Sequence, residues 1–265
     1  MTPKLVEDFK ADLTYIPHKE RQNFMAPSSM NVRYYMQTVF PWLFSVDENG
    51  WGGGKMFQVK LDDEEKQTNI YEEYKEEYAN KNISKFDQPK IDENIKLFPY
   101  YVFFPCQLPH DETILYHSDY SVIECLSELM NFTMHWGIPL IVKGHPVNPA
   151  SMAPLKEIVL EKQKPDMIKW VENVSIHQCV KKCYAVYTVN SGVGMEALLH
   201  GKKVFRFGRT DYDEVSYKVE PNYNSLRYNW KTTPDLIQDK YPRFFEKYVQ
   251  SHIDTRKWVW DRLPR

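Results

Sequence analysis

The sequence predicts an α/β protein whose C-terminal part contains a parallel β-sheet covered by helices. Two observations predict this class. From residue 98 onward, short apolar segments with strand character alternate with segments whose apolar residues recur at helical spacing. One of these units joins a strand to a helix through a Ser-Gly-x-Gly loop at 191–194, an arrangement typical of phosphate sites. Alternating strands and helices form parallel sheets, which bind ligands at the carboxyl ends of their strands.

The predicted elements of this C-terminal lobe, residues 98–231, follow a regular order. Strands are expected at 100–104, 139–142, 168–171, 184–189 and 203–207, and helices at 120–136, 153–161, 176–182 and 194–199. In the first of these helices the inward face is formed by Val122, Leu126, Leu129 and Met130. A last helix is predicted over 233–248. Together with a Trp-rich tail it forms a segment, 232–265, that we expect to pack back on the N-terminal lobe.

The N-terminal lobe, residues 1–97, is less regular. Short apolar pieces such as 34–44 alternate with polar loops and with a glycine cluster at 52–54. The segment 69–80 is dense in Glu, Lys and Tyr, which predicts an exposed helix.

Composition excludes several classes of protein. The 265-residue chain has a formal net charge of −2, so it lacks the basic character of a general nucleic-acid binder. No apolar run of 18 residues predicts a membrane span, and the first 13 residues lack the apolar core of a secretion signal. We therefore expect a cytoplasmic protein. The four cysteines lack zinc-type spacing, and Cys179 and Cys183 are predicted to be buried thiols.

The segment VNSGVGMEALLHG at 189–201 predicts a nucleotide-binding loop. Ser191 can cap the following helix, Gly192 lets the backbone approach a ligand, and free N–H groups with the helix dipole favour an anion. Glu196 could reach a ribose hydroxyl beside the phosphates. The same residues would also suit a tight turn that binds no ligand.

Polar residues follow four of the predicted strands, so they should meet at one edge of the sheet. They are Gln107 and Asp111, then Lys143 and His145, then Asn190, Ser191 and Gly192, and finally Arg209 and Tyr212. Lys143 and His145 offer donors to phosphate oxygens. His145 could also protonate a departing phosphate or stabilise its charge.

Three segments in this order resemble the capsule polysaccharide biosynthesis family. They are YVFFPCQLPHDETILYHS, PLIVKGHP and YTVNSGVGMEALLHGKKVFRFG. Members of that family are bacterial glycosyltransferases, among them the Kdo transferases of capsule assembly. Upstream, ENGWGGGKMFQVKLD at 48–62 resembles a family E-x-G-W stretch, with Gly52–Gly54 in place of the usual Pro-Gln. Glycosyltransferases of large algal viruses, which use sugars such as xylose, are similar in the same segments.

This resemblance implies a GT-B architecture, with two Rossmann-like lobes facing a cleft and the nucleotide held by the second lobe. It implies that His145 and Ser191 bind the donor phosphates, that Glu196 binds the ribose and that Gln107 lines the cleft. The remaining donor contacts are expected from Lys143, Asn190, Gly192 and Tyr212. The expected donor is a UDP-sugar such as UDP-xylose, with CMP-Kdo as the alternative. The expected acceptor is a glycan hydroxyl, and no cofactor is expected.

An inverting sugar transfer needs a carboxylate that deprotonates the acceptor hydroxyl. The apolar run 39–46 ends in Asp47-Glu48-Asn49-Gly50, where Asn-Gly predicts a tight turn that exposes the two acids. The E-x-G resemblance selects Glu48 as the base, with Asp47 second and Asp111 third. Solvated acids in an ordinary hairpin turn would have the same sequence.

Two other functions remain open at this stage. Asp211 and Asp213 form a D-x-D pair, which in GT-A glycosyltransferases binds a divalent metal. The departure at Gly52–Gly54 would also permit a nucleotide- or glycan-binding protein without catalytic activity.

Overall fold

Two β-sheets organise the part of the chain that the computed structural model describes, which is residues 12–17, 31–50, 59–61, 68–162, 164, 166–233 and 235–257. The glycine cluster at 52–54 lies outside these residues, as does the Trp-rich tail. No helix among the described residues is long and apolar enough to cross a membrane.

The C-terminal sheet has six parallel strands. They are β4 (Val102–Pro105), β5 (Leu140–Lys143), β6 (Ile168–Val171), β7 (Ala185–Thr188), β8 (Lys203–Arg206) and β9 (Tyr217–Lys218). Their order across the sheet is β6-β5-β4-β7-β8-β9, and every neighbouring pair is parallel. The chain therefore reverses direction across the sheet between β4 and β7, which is where doubly wound sheets bind ligands. The predicted parallel sheet is confirmed.

Helices cover both faces of this sheet. They are α2 (Glu112–His117), α3 (Val122–Trp136), α4 (Pro149–Lys162), α5 (Ile176–Lys182), α6 (Val193–Leu199) and α7 (Tyr223–Thr232). The start of α3 is fixed by a capping box between Ser121 and Glu124, and its end by Gly137 at φ +64°. The four predicted inward residues of α3 are fully buried. The helices α2 and α7 were not predicted from the sequence.

The strands divide the core between the two faces of the sheet. Val102 and Phe104 pack under α3 and α4, whereas Phe103 contacts the cluster that contains α5 and α6. Successive side chains of a strand point to opposite faces, and strands buried on both faces are apolar throughout. This explains why short uninterrupted apolar runs predicted these strands.

The N-terminal sheet is small and mixed. Its order is β1 (Thr14–Pro17), β2 (Val32–Gln37), β3 (Leu43–Asp47) and β10 (Ile253–Asp254), and only β1 and β2 are parallel. The described part of the N-terminal lobe therefore departs from the Rossmann-like pattern that was expected. The short loop 38–42 joins β2 and β3 as an antiparallel hairpin, so no crossover helix separates the two strands.

The segment 69–80 is helical, as α1 (Ile70–Tyr74) followed by a π-helical turn (Lys75–Asn80). It was predicted to be exposed, but Tyr74, Tyr78 and Ala79 are buried. The rings of Tyr74 and Tyr78 pack around Phe40, which follows β2. The tyrosines, which were counted as polar surface residues, thus form the apolar face of this helix.

The C-terminal segment crosses back to the N-terminal elements. A 3-10 helix (Asp235–Lys240) leads into α8 (Tyr241–Gln250), where a single helix over 233–248 was predicted. Pro242 favours the first turn of a new helix because its ring disfavours a continuous one. Phe245 of α8 packs on Tyr71 of α1, and β10 then pairs with β3.

Candidate active site

A cleft of about 190 Å³ opens at the carboxyl ends of the parallel strands. Its walls come from three parts of the chain: residues 36–39 at the end of β2, the segment 84–88, and the loops after β4, β5 and β7. The predicted residues that line it are Gln107, Asp111, Lys143, His145, Asn190, Ser191, Gly192 and Glu196. The topology thus brings together residues that are up to 89 positions apart, from 107 to 196.

Two amide side chains join the loops on either side of the reversal point. Gln107 Nε2 donates to Asn190 Oδ1 at 2.9 Å, and the Asn190 backbone N–H donates to Gln107 Oε1 at 3.0 Å. Asn190 Nδ2 also donates to the Thr113 carbonyl at 2.7 Å. Both side chains are buried. They were expected to contact the donor, but their hydrogen bonds serve mainly to hold the cleft together.

Asp111 is oriented by the residue two positions later. The backbone N–H and the hydroxyl of Thr113 both donate to Asp111 Oδ1, at 2.9 and 2.8 Å. This is the N-cap arrangement that starts α2. Among the described residues, no hydrogen bond reaches the other carboxylate oxygen, and the side chain is only partly buried. Asp111 therefore presents one oxygen to the cleft in a fixed orientation.

The loop 190–194 differs from the expected anion cradle. The N–H groups of Ser191 and Val193 donate to Thr188 Oγ1 and Ser191 Oγ, at 3.1 and 3.2 Å. Gly194 N donates to the Ser191 carbonyl at 2.9 Å. Helix α6 has only seven residues, with Gly192 rather than Ser191 at its N-cap. The backbone donors that were expected to be free are thus largely paired.

Lys143 and His145 carry N–H groups that can donate hydrogen bonds to an anion. Lys143 ends β5 and is buried, and burial lowers the pKa of its ammonium group. Burial also lowers the pKa of His145, so the ring is neutral at pH 7. The Val147 N–H donates to His145 Nδ1 at 3.2 Å. The same Nδ1 atom lies 3.3 Å from the Val147 carbonyl, so Val147 offers it a partner in either tautomer of the neutral ring.

Glu196 lies at the bottom of the cleft. It is 2% exposed, and burial raises its pKa to about 8, although Ser84 and the charge of Lys143 oppose this shift. Its Oε1 has no hydrogen-bond partner among the described residues, and His177 Nε2 lies 3.7 Å away. A buried carboxyl oxygen without a partner costs free energy. This oxygen is itself shielded from solvent and lies toward the buried ring of His177.

Tyr212 lies behind the cleft rather than in it. It is fully buried, and its hydroxyl donates to the Ser191 carbonyl at 2.5 Å. A Cβ atom at Gly194 would overlap the Tyr212 ring, which explains the second glycine of the Ser-Gly-x-Gly loop. The prediction that Tyr212 contacts the donor is therefore wrong. Tyr212 instead supports the 190–194 loop from the interior of the protein.

The two acids favoured as the base lie away from the cleft. Asp47 pairs with Tyr34 across the hairpin, and Met36, the nearest cleft-lining residue of β2, is two residues further along, or roughly 7 Å. The Asp47 carboxylate accepts from Asn49 N at 2.7 Å, and Glu48 lies 3.7 Å from Arg33. The strand run ends in a turn as predicted, but this turn is at the opposite end of the hairpin. Asp111, the third choice, lines the cleft.

The D-x-D pair is engaged in protein contacts. Asp211 accepts from Tyr248 Oη at 2.6 Å, and Asp213 pairs with Arg206 at 2.9 Å. Among the described residues, no group of three His, Cys, Asp or Glu side chains has the arrangement of metal ligands. The ion pair with Arg206 gives Asp213 a structural role, whereas Asp211 is held by Tyr248 and also lines the cleft.

The segment 82–88 contributes cleft residues that the sequence analysis missed. Ser84, Lys85, Phe86 and Gln88 line the cleft. The Phe86 ring meets His145 edge-on at 5.3 Å. No periodicity or motif marks this segment, so only its tertiary contacts reveal its place.

Comparisons with known proteins agree with this geometry. Two chains of KpsC from Thermosulfurimonas dismutans share the fold. The first, described as a beta Kdo 2,4 transferase, has a TM-score of 0.57 and 15% identity and covers 89% of this chain and 78% of its own. The second, a beta Kdo 2,7 transferase, has a TM-score of 0.56 and 17% identity and covers 94% and 81%.

A curated relative matches a shorter region. Protein FixF of Sinorhizobium fredii is 27% identical over 126 residues, which is 45% of this chain and 29% of FixF. The chain thus spans less than a third of that relative.

The fold and the cleft define an α/β protein of the GT-B type. Residues 10–239 match the family described as capsule polysaccharide biosynthesis protein. The chain belongs to this family. The family and the fold class predicted from the sequence are therefore confirmed.

Proposed function

We propose that this protein transfers a sugar from a nucleotide-sugar donor to a hydroxyl group of a glycan acceptor. The observation that carries the proposal is the single cleft in which Lys143, His145, Glu196 and Asp111 meet at the reversal point of a parallel sheet. Such points bind nucleotides in doubly wound folds. Membership of the capsule polysaccharide biosynthesis family supports the same chemistry.

The donor is bound by side chains on the C-terminal lobe. Lys143 and the ring of His145, in the tautomer that carries its proton on Nε2, contact phosphate oxygens and stabilise the negative charge that develops when the phosphate departs. Glu196, whose side chain lines the cleft, binds a ribose hydroxyl. We favour a UDP-sugar such as UDP-xylose, with CMP-Kdo as the alternative donor.

Asp111 is the proposed base, because it is the one of the three candidate carboxylates that lines the cleft. Its unpaired oxygen removes the proton of the acceptor hydroxyl while the acceptor oxygen attacks the anomeric carbon. The bond between that carbon and the phosphate oxygen breaks, and the electron pair leaves with the phosphate. A one-step displacement of this kind inverts the anomeric configuration. No metal or other cofactor is needed for these steps.

Transfer can be tested directly with purified protein, a panel of nucleotide sugars and a simple glycoside acceptor. Proton NMR of the fresh product gives the anomeric configuration through its coupling constant. Inversion would support a base at Asp111. Retention would contradict that role, because a one-step attack by the acceptor oxygen inverts the anomeric carbon.

The same assay separates the other functions. A metal-dependent transferase would lose activity in EDTA, whereas the proposed enzyme would keep it. A binding protein without catalytic activity would bind nucleotide sugar but would neither transfer the sugar nor hydrolyse the donor. No contact in the described residues favours either alternative over the proposed reaction.

A further inference from the structure

The segment 82–88 is held firmly against the C-terminal lobe. The Ser175 hydroxyl donates to Asn82 Oδ1, and His177 Nε2 lies 2.8 Å from the Ile83 carbonyl. Gln88 Oε1 accepts from Ile176 N at 2.8 Å. These contacts lie on both sides of residue 85. The segment therefore forms a fixed wall of the cleft rather than a loose loop.

Lys85 projects from this wall into the cleft. It lines the cavity together with His145 and Asp111. Although Lys85 is exposed to solvent, desolvation by the walls around it lowers its pKa, and the negative charge of Asp111 opposes the shift. The charge of Lys85 also contributes to the lowered pKa of His145, after burial and the charge of Lys143. The three side chains thus share one electrostatic environment.

Two lysines carry the fixed positive charge of the cleft. Among the described residues that line it, the Lys and Arg side chains are Lys85 on the 82–88 wall and Lys143 at the end of β5. They stand on different walls. Most backbone N–H groups of the 190–194 loop are already paired, so these ammonium groups must supply most of the charge complement for an anionic ligand.

We propose that Lys85 is a donor-binding residue and that the cleft selects a nucleoside diphosphate over a monophosphate. Lys143 binds one phosphate, and Lys85 binds the phosphate next to the transferred sugar, beside Asp111. A monophosphate donor would engage only one of the two ammonium groups. This inference rests on the proposed function, because it requires that the cleft bind a nucleotide.

Isothermal titration tests the proposal without measuring turnover. The probes are the pairs UDP and UMP, CDP and CMP, and GDP and GMP. The proteins are the wild type, Lys85→Met, Lys85→Arg and the control Lys81→Met. Lys81 is an exposed lysine just before the same segment that does not line the cleft. Thermal unfolding checks that each variant folds like the wild type.

In the wild type, one diphosphate is expected to bind about tenfold to a hundredfold more tightly than its monophosphate, the range of one charge-assisted contact. Lys85→Met should lose that preference and bind the monophosphate within about twofold of the wild type. Lys85→Arg should keep most of the preference because it keeps the charge, and Lys81→Met should behave like the wild type.

Two results would overturn the inference while leaving the proposed function intact. In one, Lys85→Met binds the diphosphate as tightly as the wild type. In the other, the wild type binds the monophosphate equally well or better. If none of the six nucleotides binds to the wild type, the proposed function fails as well, and the inference fails with it.

Discussion

Gln107 and Asn190 hydrogen-bond to each other in both directions across the point where the parallel sheet reverses. The side-chain N–H of Gln107 donates to Asn190 at 2.9 Å, and the backbone N–H of Asn190 donates back at 3.0 Å. The loops after β4 and β7 are thereby tied together. The distance between Asp111 on one loop and Ser191 on the other depends on this clamp.

Gln107→Leu should destabilise the protein by about 1–3 kcal/mol, because it leaves the buried N–H of Asn190 without an acceptor. Gln107→Glu keeps the acceptor for Asn190 N but loses the donor to Asn190 Oδ1. It should therefore lower the free energy of unfolding by less than Gln107→Leu, unless the cost of the new buried charge exceeds the gain from the retained hydrogen bond. Urea unfolding measures both. A Leu variant as stable as the wild type would show that the clamp contributes nothing to folding.

Thr113→Val should lower kcat about tenfold with little change in donor KM, since it frees the Asp111 carboxylate from its hydroxyl donor while keeping the backbone contact. Thr113→Ser keeps the hydroxyl and should restore most of the activity. Steady-state kinetics with varied donor gives both constants. If Thr113→Ser were as impaired as Thr113→Val, the methyl group rather than the hydrogen bond would be responsible.

His145→Ala should lower turnover by about 10²–10⁴-fold and leave the melting temperature nearly unchanged, because the side chain acts on the departing phosphate and its local hydrogen bond is exposed. His110→Ala is the matched control, since His110 is exposed and does not line the cleft. Turnover at the wild-type level in His145→Ala would remove the histidine from the mechanism.

Glu196 should make stability depend on pH. Its pKa is raised from the ordinary 4.5 to about 8 in the folded protein. Between these values the folded state keeps a proton that the unfolded state releases, so its contribution is complete below pH 4.5 and declines as pH rises toward 8. Each unit of pKa shift corresponds to about 1.4 kcal/mol.

Glu196→Gln removes this titration while keeping the shape of the side chain. Its stability relative to the wild type should therefore increase as pH rises from 4.5 to 8. Urea unfolding at several pH values measures the difference. A difference that is constant over this range would mean that Glu196 is ionised in the folded protein.

The base assignment is tested by a pair of variants. Asp111→Asn should reduce transfer by about 10²–10⁴-fold and preserve nucleotide binding, whereas Glu48→Gln should retain transfer. Glu48 is 59% exposed and lies at the far end of the β2–β3 hairpin. The reverse result would restore Glu48 as the base and would require the hairpin turn to reach the substrate.

The sequence was sufficient to predict the parallel sheet and most of the residues at its carboxyl edge. Strands such as Val102–Pro105 are short apolar runs buried on both faces, and residues that follow such strands meet at one edge whatever the details of packing. Lys143, His145 and Glu196 were therefore predictable from their positions alone.

Other features depend on contacts that a linear sequence does not encode. Lys85 lies in a segment without periodicity, and it is placed by hydrogen bonds to residues about 90 positions away. Glu48 was selected through a motif, but the pairing of β2 with β3 sets its distance from the cleft. The free N–H groups expected at 190–194 are paired because nearby hydroxyl groups, those of Thr188 and Ser191, accept from them.

The most direct test of the account is whether the cleft binds a nucleotide without metal. Thermal unfolding should be measured with UDP, CMP, GDP, UDP-xylose and UDP-glucose, with and without EDTA, for the wild type and Lys143→Met. A ligand at 100 times its Kd adds about 2.7 kcal/mol, which is readily detected. We expect one nucleotide to stabilise the wild type equally in EDTA and to lose most of its effect in Lys143→Met. If no nucleotide shifts the unfolding of the wild type, the cleft is not a donor site and the proposed glycosyl transfer is contradicted.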